Sequence, residues 1–195
     1  MLSAFTTLVV VRNLLERLML LAPHKYDGMR LSMLFLSAYV FLLRVPSEAL
    51  PLTAHEGSSC LSLEEGQVIL LLKRRKNKPS GSRLTRTCWC SRSTSTCPVH
   101  VLGPFVASLA CGQGLFSGIT PQHALSSLRQ WLVELGAPRA REFRTHDFRR
   151  GHAKDLQLSG VATHVSISKT MFLDVRKGLR YWKSRLLGNG VRRHL

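Results

Sequence analysis

Apolar positions fall into blocks along this chain of 195 residues. Over 3–22 they recur at helical spacing around Arg12, Glu16 and Arg17, which predicts an amphipathic helix. A second block over 29–43 is apolar on every side and predicts a buried helix; Pro23, Asp27 and Gly28 separate the two. Residues 45–60 carry two prolines and a glycine and read as a loop. "GQVILLL" (66–72) has strand length, "KRRKNKPSGS" reads as a turn and "RLTRTCW" as a returning strand, giving a basic-tipped hairpin. The stretch from Cys97 to Cys111 is expected to be helical after Pro104. "TPQHALSSLRQWLVELG" is the clearest helix, with Thr120 as cap, Pro121 in the first position and Gly136 at the end. A short helix follows in "RTHDFRRGHAKDL" (144–156), with Thr145 as cap, Asp147 in the first turn and Gly160 as its stop. A final basic helix is expected over about 168–187. No repeat or interdomain linker is visible. The pattern predicts one domain, mainly α with a small antiparallel sheet or hairpin (α+β).

Composition narrows the partner. Lys and Arg number 28 against 11 Asp and Glu, a net charge of +17, while 45% of residues are hydrophobic. A chain with that core and that excess of cations points to a polyanion, most simply nucleic acid. The longest apolar run, Leu31 to Leu43, stops short of a membrane span. The first residues lack the basic start of a secretion signal, and five cysteines, an odd number, suit a reducing compartment. The expected location is intracellular, nuclear or otherwise DNA-associated.

Two basic boxes carry candidate chemistry. In "FLLRVPSEAL", Arg44 emerges from an apolar block with Glu48 within reach to orient it. In "HDFRRGHAKDLQLSG", His146 and Arg149 stand three residues apart and project from one helix face. A histidine beside a permanent cation is a phosphate-handling pair; a solvated basic face is the plainer alternative.

These boxes, in this order, resemble the tyrosine recombinase (phage integrase-like) family. "FLLRVPSEAL" is similar to its first arginine box and "HDFRRGHAKDLQLSG" to its His-x-x-Arg box. The hairpin is similar to its lysine-bearing turn, with Lys73 first choice and Lys76 second. Tyr181 lies 32 residues past Arg149, near the interval at which the family places its nucleophile. The resemblance covers roughly 32–160, leaves 161–195 as a divergent tail, and implies a single catalytic domain without the N-terminal DNA-clamping domain of many relatives. It implies a DNA strand-exchange enzyme in which Tyr181 attacks a phosphodiester. Arg44 and Arg149 would hold the non-bridging oxygens, while a lysine and His146 move protons. Double-stranded DNA is the implied partner, a homo-oligomer on DNA the implied active form, and no cofactor is implied for catalysis. Three departures stand out: an extra proline between Arg44 and its acid, Arg150 where a histidine is common, and Phe172 where a His or Trp is usual before the tyrosine. They keep a second reading open, a catalytically inactive DNA-binding domain of mobile-element origin. A third, a basic zinc-stabilised protein binding RNA or chromatin, lacks the stacking aromatics that single-strand binders use.

Cys88, Cys90, Cys97 and His100, in "CWCSRSTSTCPVH", form C-x-C, six residues, then C-x-x-H. Three thiolates and an imidazole suit one tetrahedral structural zinc. Free thiols packing the base of the hairpin are the alternative. Cys60 and Cys111 read as ordinary thiols.

Overall fold

The structure, a computed structural model, describes residues 8–74 and 80–159. Five helices surround one hydrophobic core: α1 (Arg12–Leu21), α2 (Gly28–Val40), α3 (Gly103–Ala107), α4 (Pro121–Glu134) and α5 (Asp147–Leu158). Helix α2 is buried along almost its whole length, as its all-round apolar sequence requires. Helix α4 follows its sequence signals closely: the Thr120 hydroxyl accepts from the His123 N–H at 3.1 Å, Pro121 opens the helix and Gly136 follows with a φ of 65°. Helix α1 starts later than its periodicity suggests. Val9, Val10 and Val11 precede it, and a β-branched run favours extended chain. Val10 instead donates its N–H to the Asp147 carbonyl at 3.0 Å, laying this segment against α5. Gly151 permits that approach, because a Cβ there would collide with the Val10 carbonyl.

A four-stranded sheet in the order β1–β2–β3–β4 covers one side of the core: β1 (Thr53–Ala54), β2 (Ser59–Glu64), β3 (Gln67–Leu72) and β4 (Ser82–Arg86). The hairpin β3–β4 is as expected, but its partner β2 was read as loop up to Cys60. Glu65 and Gly66, with φ of 48° and 72°, make a two-residue turn of the kind that matches hairpin twist. The sheet is antiparallel except for the short β1, which pairs parallel with β2. Helical structure after the cysteines also begins earlier than Pro104: a wide turn over Pro98–Leu102 runs directly into α3. No helix among the described residues is long and apolar enough to cross a membrane.

The seam between α2 and α5 positions everything that follows. Phe35 stacks on Phe148 with ring centroids 4.9 Å apart, and Trp131 of α4 meets Phe35 edge-on at 5.7 Å. One helical turn further along, Tyr39 packs edge-on against His152 at 4.7 Å. The Tyr39 hydroxyl donates to the Asp155 carboxylate at 2.6 Å, and the same oxygen accepts from the Arg12 backbone N–H at 2.7 Å. Asp155 therefore ties the first turn of α1, the end of α2 and α5 together. Burial, reinforced by Asp155, pushes the Tyr39 hydroxyl far above its ordinary range, so it stays a proton donor.

His152 makes folding sensitive to acid. Burial, followed by repulsion from Arg86 and Arg12, pushes its pKa down to about 3, so the folded chain keeps the ring neutral. An unfolded chain would take up that proton near pH 6.5, which means the unfolded state binds more protons between these values. Stability is therefore expected to fall as pH drops through this window, by up to about 1.4 kcal/mol per pH unit from this residue. Asp147 opposes it, since burial raises its carboxyl and so favours the folded state in acid. Urea melts of wild type and His152→Phe isolate the histidine: the variant should lose much of the acid slope, and parallel slopes would assign it to other groups.

Candidate functional site

The chain leaves α2 through Leu42, whose φ of 53° turns it sharply, so Arg44 sits beyond the helix and not on its last turn. Arg44 is extended (φ −83°, ψ 116°) and heads a wide turn over Val45–Ala49, in which the Ala49 N–H donates to the Arg44 carbonyl. Glu48 organises this turn twice. One carboxylate oxygen accepts from the Arg44 backbone N–H at 2.9 Å, and the other lies 3.4 Å from the guanidinium. The Glu48 side chain is buried to 5% exposure while Arg44 keeps 30%. A buried carboxylate thus steers a guanidinium that still reaches solvent, the orientation its spacing in the sequence implied.

His146 and Arg149 flank the start of α5. His146 is the residue before the helix and is exposed; Arg149 is half-buried on its first turn. Thr145 does not cap this helix, contrary to expectation. Asp147 takes the local role: one carboxylate oxygen accepts from the Arg144 N–H at 2.8 Å and the other from the Arg150 guanidinium at 2.9 Å. Arg150 is thereby folded back onto a carboxylate of its own helix. Part of the Arg149 guanidinium turns inward, its Nη1 fully buried, while His146 faces solvent. The positive end of the helix dipole adds to the cations there.

Lys73 follows β3 directly and is exposed, its N–H donating to the Ser59 hydroxyl at 3.0 Å. Gly81 stands across the mouth of the hairpin with φ of 79°, where a Cβ would strike the Leu72 carbonyl. Between them a shallow groove is lined by Lys73, Ser80, Gly81 and Arg83 together with Gly57 and Ser58 of the β1–β2 connection. Lys76, Tyr181, Gly160 and the helix expected over 168–187 lie outside the described residues.

Cys88, Cys90, Cys97 and His100 come together, all four ligand atoms within 4.8 Å of one another. Cys97 is buried; Cys88 and His100 are exposed. Burial alone would raise the Cys97 thiol, but hydrogen bonds from His100, through ring and backbone, and from the Trp89 N–H outweigh it and bring it down to about 6. Its partner Cys90 moves the other way, up to about 12, chiefly through its contact with Cys97. Three sulfurs and one imidazole nitrogen are the donors of a tetrahedral metal site. A metal ion fits this donor set.

Four residues that the boxes did not single out prove central. Asp155 and His152 lie within the quoted box, but their roles depend on partners far along the chain, Arg12 and Tyr39 for the first and Tyr39 and Trp89 for the second. Trp89, between two cysteines, stacks on His152 at 6.3 Å and donates its ring N–H to the Thr96 carbonyl at 2.9 Å. Arg86 of β4 donates to the Val40 carbonyl at 3.0 Å and lies over the Phe41 ring, closing the C-terminal end of α2. Only the placement of a cation at a strand end hinted at this.

No protein-family model matches the sequence, and no curated sequence is similar to it. Among solved structures, the chain is similar to the XerH site-specific recombinase bound to its difH substrate in a pre-cleavage complex. The TM-score is 0.57 at 15% sequence identity, over 80% of this chain and 44% of the recombinase chain. This chain thus spans under half of that protein's length. The likeness is one of fold: a mainly α chain with a small four-stranded sheet, similar to the catalytic domain of a tyrosine recombinase.

Proposed function

We propose that the chain binds duplex DNA and breaks and rejoins it through a phosphotyrosine intermediate, as a recombinase of mobile-element type. The observation that supports this is the presence of two arginine boxes on a recombinase-like fold, the first with its arginine steered by a buried acid. Arg44 is oriented by buried Glu48 just beyond α2, and His146 with Arg149 occupy the start of α5, the helix packed on α2. In this reading the Tyr181 oxygen attacks phosphorus, and the bond to the 5′ oxygen breaks. Lys73, or Lys76 nearer the hairpin tip, donates the proton that the leaving oxygen takes up. Arg44 and Arg149 counter charge on the non-bridging oxygens, the work for which planar guanidinium forks are suited. His146 supports the phosphate or relays the tyrosine proton. No water enters, so the ester keeps the bond energy needed to rejoin a different strand. Paired duplex sites and a homo-oligomer go with such an exchange, as does residence where the DNA is kept, the nucleus in a eukaryotic cell. The cysteine cluster would surround a metal with four protein ligands and leave no open position. That assigns it a structural role, outside the phosphoryl chemistry.

Binding should be dominated by phosphate contacts. Affinity for a duplex is expected to fall at least about tenfold between about 50 and about 200 mM salt, and a flat salt dependence would contradict the claim. A nicked suicide substrate tests the chemistry, because it traps covalent protein–DNA adducts even when turnover is slow. Wild type should form an adduct that Tyr181→Phe abolishes, and Arg149→Ala should slow it by about a hundredfold or more at unchanged stability. An adduct surviving Tyr181→Phe removes that residue from the mechanism. Intact binding with no adduct in wild type establishes instead the inactive DNA-binding reading, which Phe172 in place of a phosphate-seating His or Trp favours.

A further inference from the structure

Three sulfurs converge on a single ring nitrogen. His100 Nδ1 lies 3.1 Å from Cys90 Sγ, 3.3 Å from Cys97 Sγ and 3.6 Å from Cys88 Sγ, and Cys97 Sγ is 3.7 Å from Cys88 Sγ. One imidazole nitrogen carries at most one proton, so hydrogen bonding explains one of these approaches and not three. A disulfide does not explain them either, since its sulfurs stand about 2.05 Å apart. Bond lengths of about 2.3 Å to sulfur and about 2.0 Å to nitrogen, set at tetrahedral angles, give edges of about 3.8 Å between sulfurs and about 3.5 Å from sulfur to nitrogen. These four of the six edges lie close to those of such a shell, contracted on the nitrogen, and all six stay within 4.8 Å. Backbone amides complete it: the Trp89 N–H points to Cys97 Sγ at 3.4 Å and the Cys90 N–H to Cys88 Sγ at 3.5 Å, the outer-shell bonds that favour thiolate ligands.

We propose that these four residues bind one Zn²⁺, and that the ion clamps the exit of the hairpin to helix α5. Three thiolates and a histidine in a closed tetrahedron select zinc over the hard cations, which take oxygen ligands. The clamp follows from what lies between the ligands. Trp89 is held by Cys88 and Cys90 on either side, its ring N–H is fixed by the Thr96 carbonyl, and its face rests on His152. Ordering the loop around the ion therefore sets the surface on which α5 sits, three residues from Arg149. On the other side, Cys88 follows β4 by two residues, so the same ion anchors the strand that returns from the basic hairpin tip.

The test uses the full chain, purified without chelator. About one zinc per chain is expected by elemental analysis, and Co²⁺ added to chelator-treated protein should give the sulfur-to-cobalt absorption and intense visible bands of a tetrahedral thiolate site. Zinc should be lost in Cys97→Ser and retained in Cys60→Ser and Cys111→Ser. Should Cys97→Ser fail to fold, His100→Asn and Cys88→Ser alter exposed ligands and should bind Co²⁺ at least about tenfold more weakly. Removing the ion should lower the melting temperature by at least about 4 °C and shift tryptophan emission, with the emission change absent in Trp89→Phe. No metal in wild type, or full occupancy in the ligand variants, overturns the site. Occupancy without an effect on melting or on Trp89 overturns the clamp. None of these readouts involves DNA, so zinc binding without DNA cleavage removes the recombinase reading alone, and cleavage without zinc removes this one alone.

Discussion

A single carboxylate holds the architecture in register. Asp155 accepts from the backbone at the start of α1 and from the hydroxyl near the end of α2, while itself belonging to α5. Each bond on its own is worth on the order of 1–3 kcal/mol, but their geometric effect is larger. Helix α5 cannot slide along α2 without breaking the Tyr39 bond, separating Phe35 from Phe148 and driving Gly151 off the Val10 carbonyl. Because Arg44 lies just past α2 and Arg149 on the first turn of α5, that register fixes how the two arginine boxes stand to one another.

Charge is managed at each box by burying the acid and leaving the base partly wet. Glu48 and Asp147 are almost fully buried, yet each accepts a backbone N–H as well as a guanidinium, so neither carboxylate depends on a single partner. Their arginines keep access to solvent. The Arg44 fork is held by Glu48 through one contact of 3.4 Å. The same logic accounts for Arg150, the departure from the family pattern beside Arg149. Its guanidinium bonds back to Asp147 on the same helix.

How much of this was legible depended on how local each cause is. Helix α4 was read to its caps because Thr120, Pro121 and Gly136 act on the residues beside them. The basic hairpin was legible from composition, and the Cys–His cluster from a spacing of thirteen residues. Strand β2 was hidden, since the prolines and glycine of 46–57 suggested a loop and the turn that creates its hairpin, Glu65-Gly66, looks unremarkable without its backbone angles. The start of α1 was misjudged because apolar spacing alone cannot separate a helix from the extended Val9–Val11, which takes its shape from pairing with α5. Arg44 and Glu48 could be paired on paper because they are four positions apart. Asp155 and Tyr39 could not, being 116 apart, and nothing near either marks the other.

The cysteine cluster has its place at the base of the hairpin. Strand β4 is an edge, five residues long, with Arg83 and Thr85 exposed and only Leu84 buried. Its ladder to β3 fixes the sheet end, and the sequence of the nine-residue connection between the strands (73–81) is rich in Lys and Arg. Arg86 pins one side of the base to the end of α2, and the Cys88–His100 loop pins the other to α5 through Trp89. Apolar packing could not do this alone, since the loop 87–96 offers Trp89 as its single large hydrophobic residue. Where a segment has too little to bury, a metal ion supplies order that a core cannot.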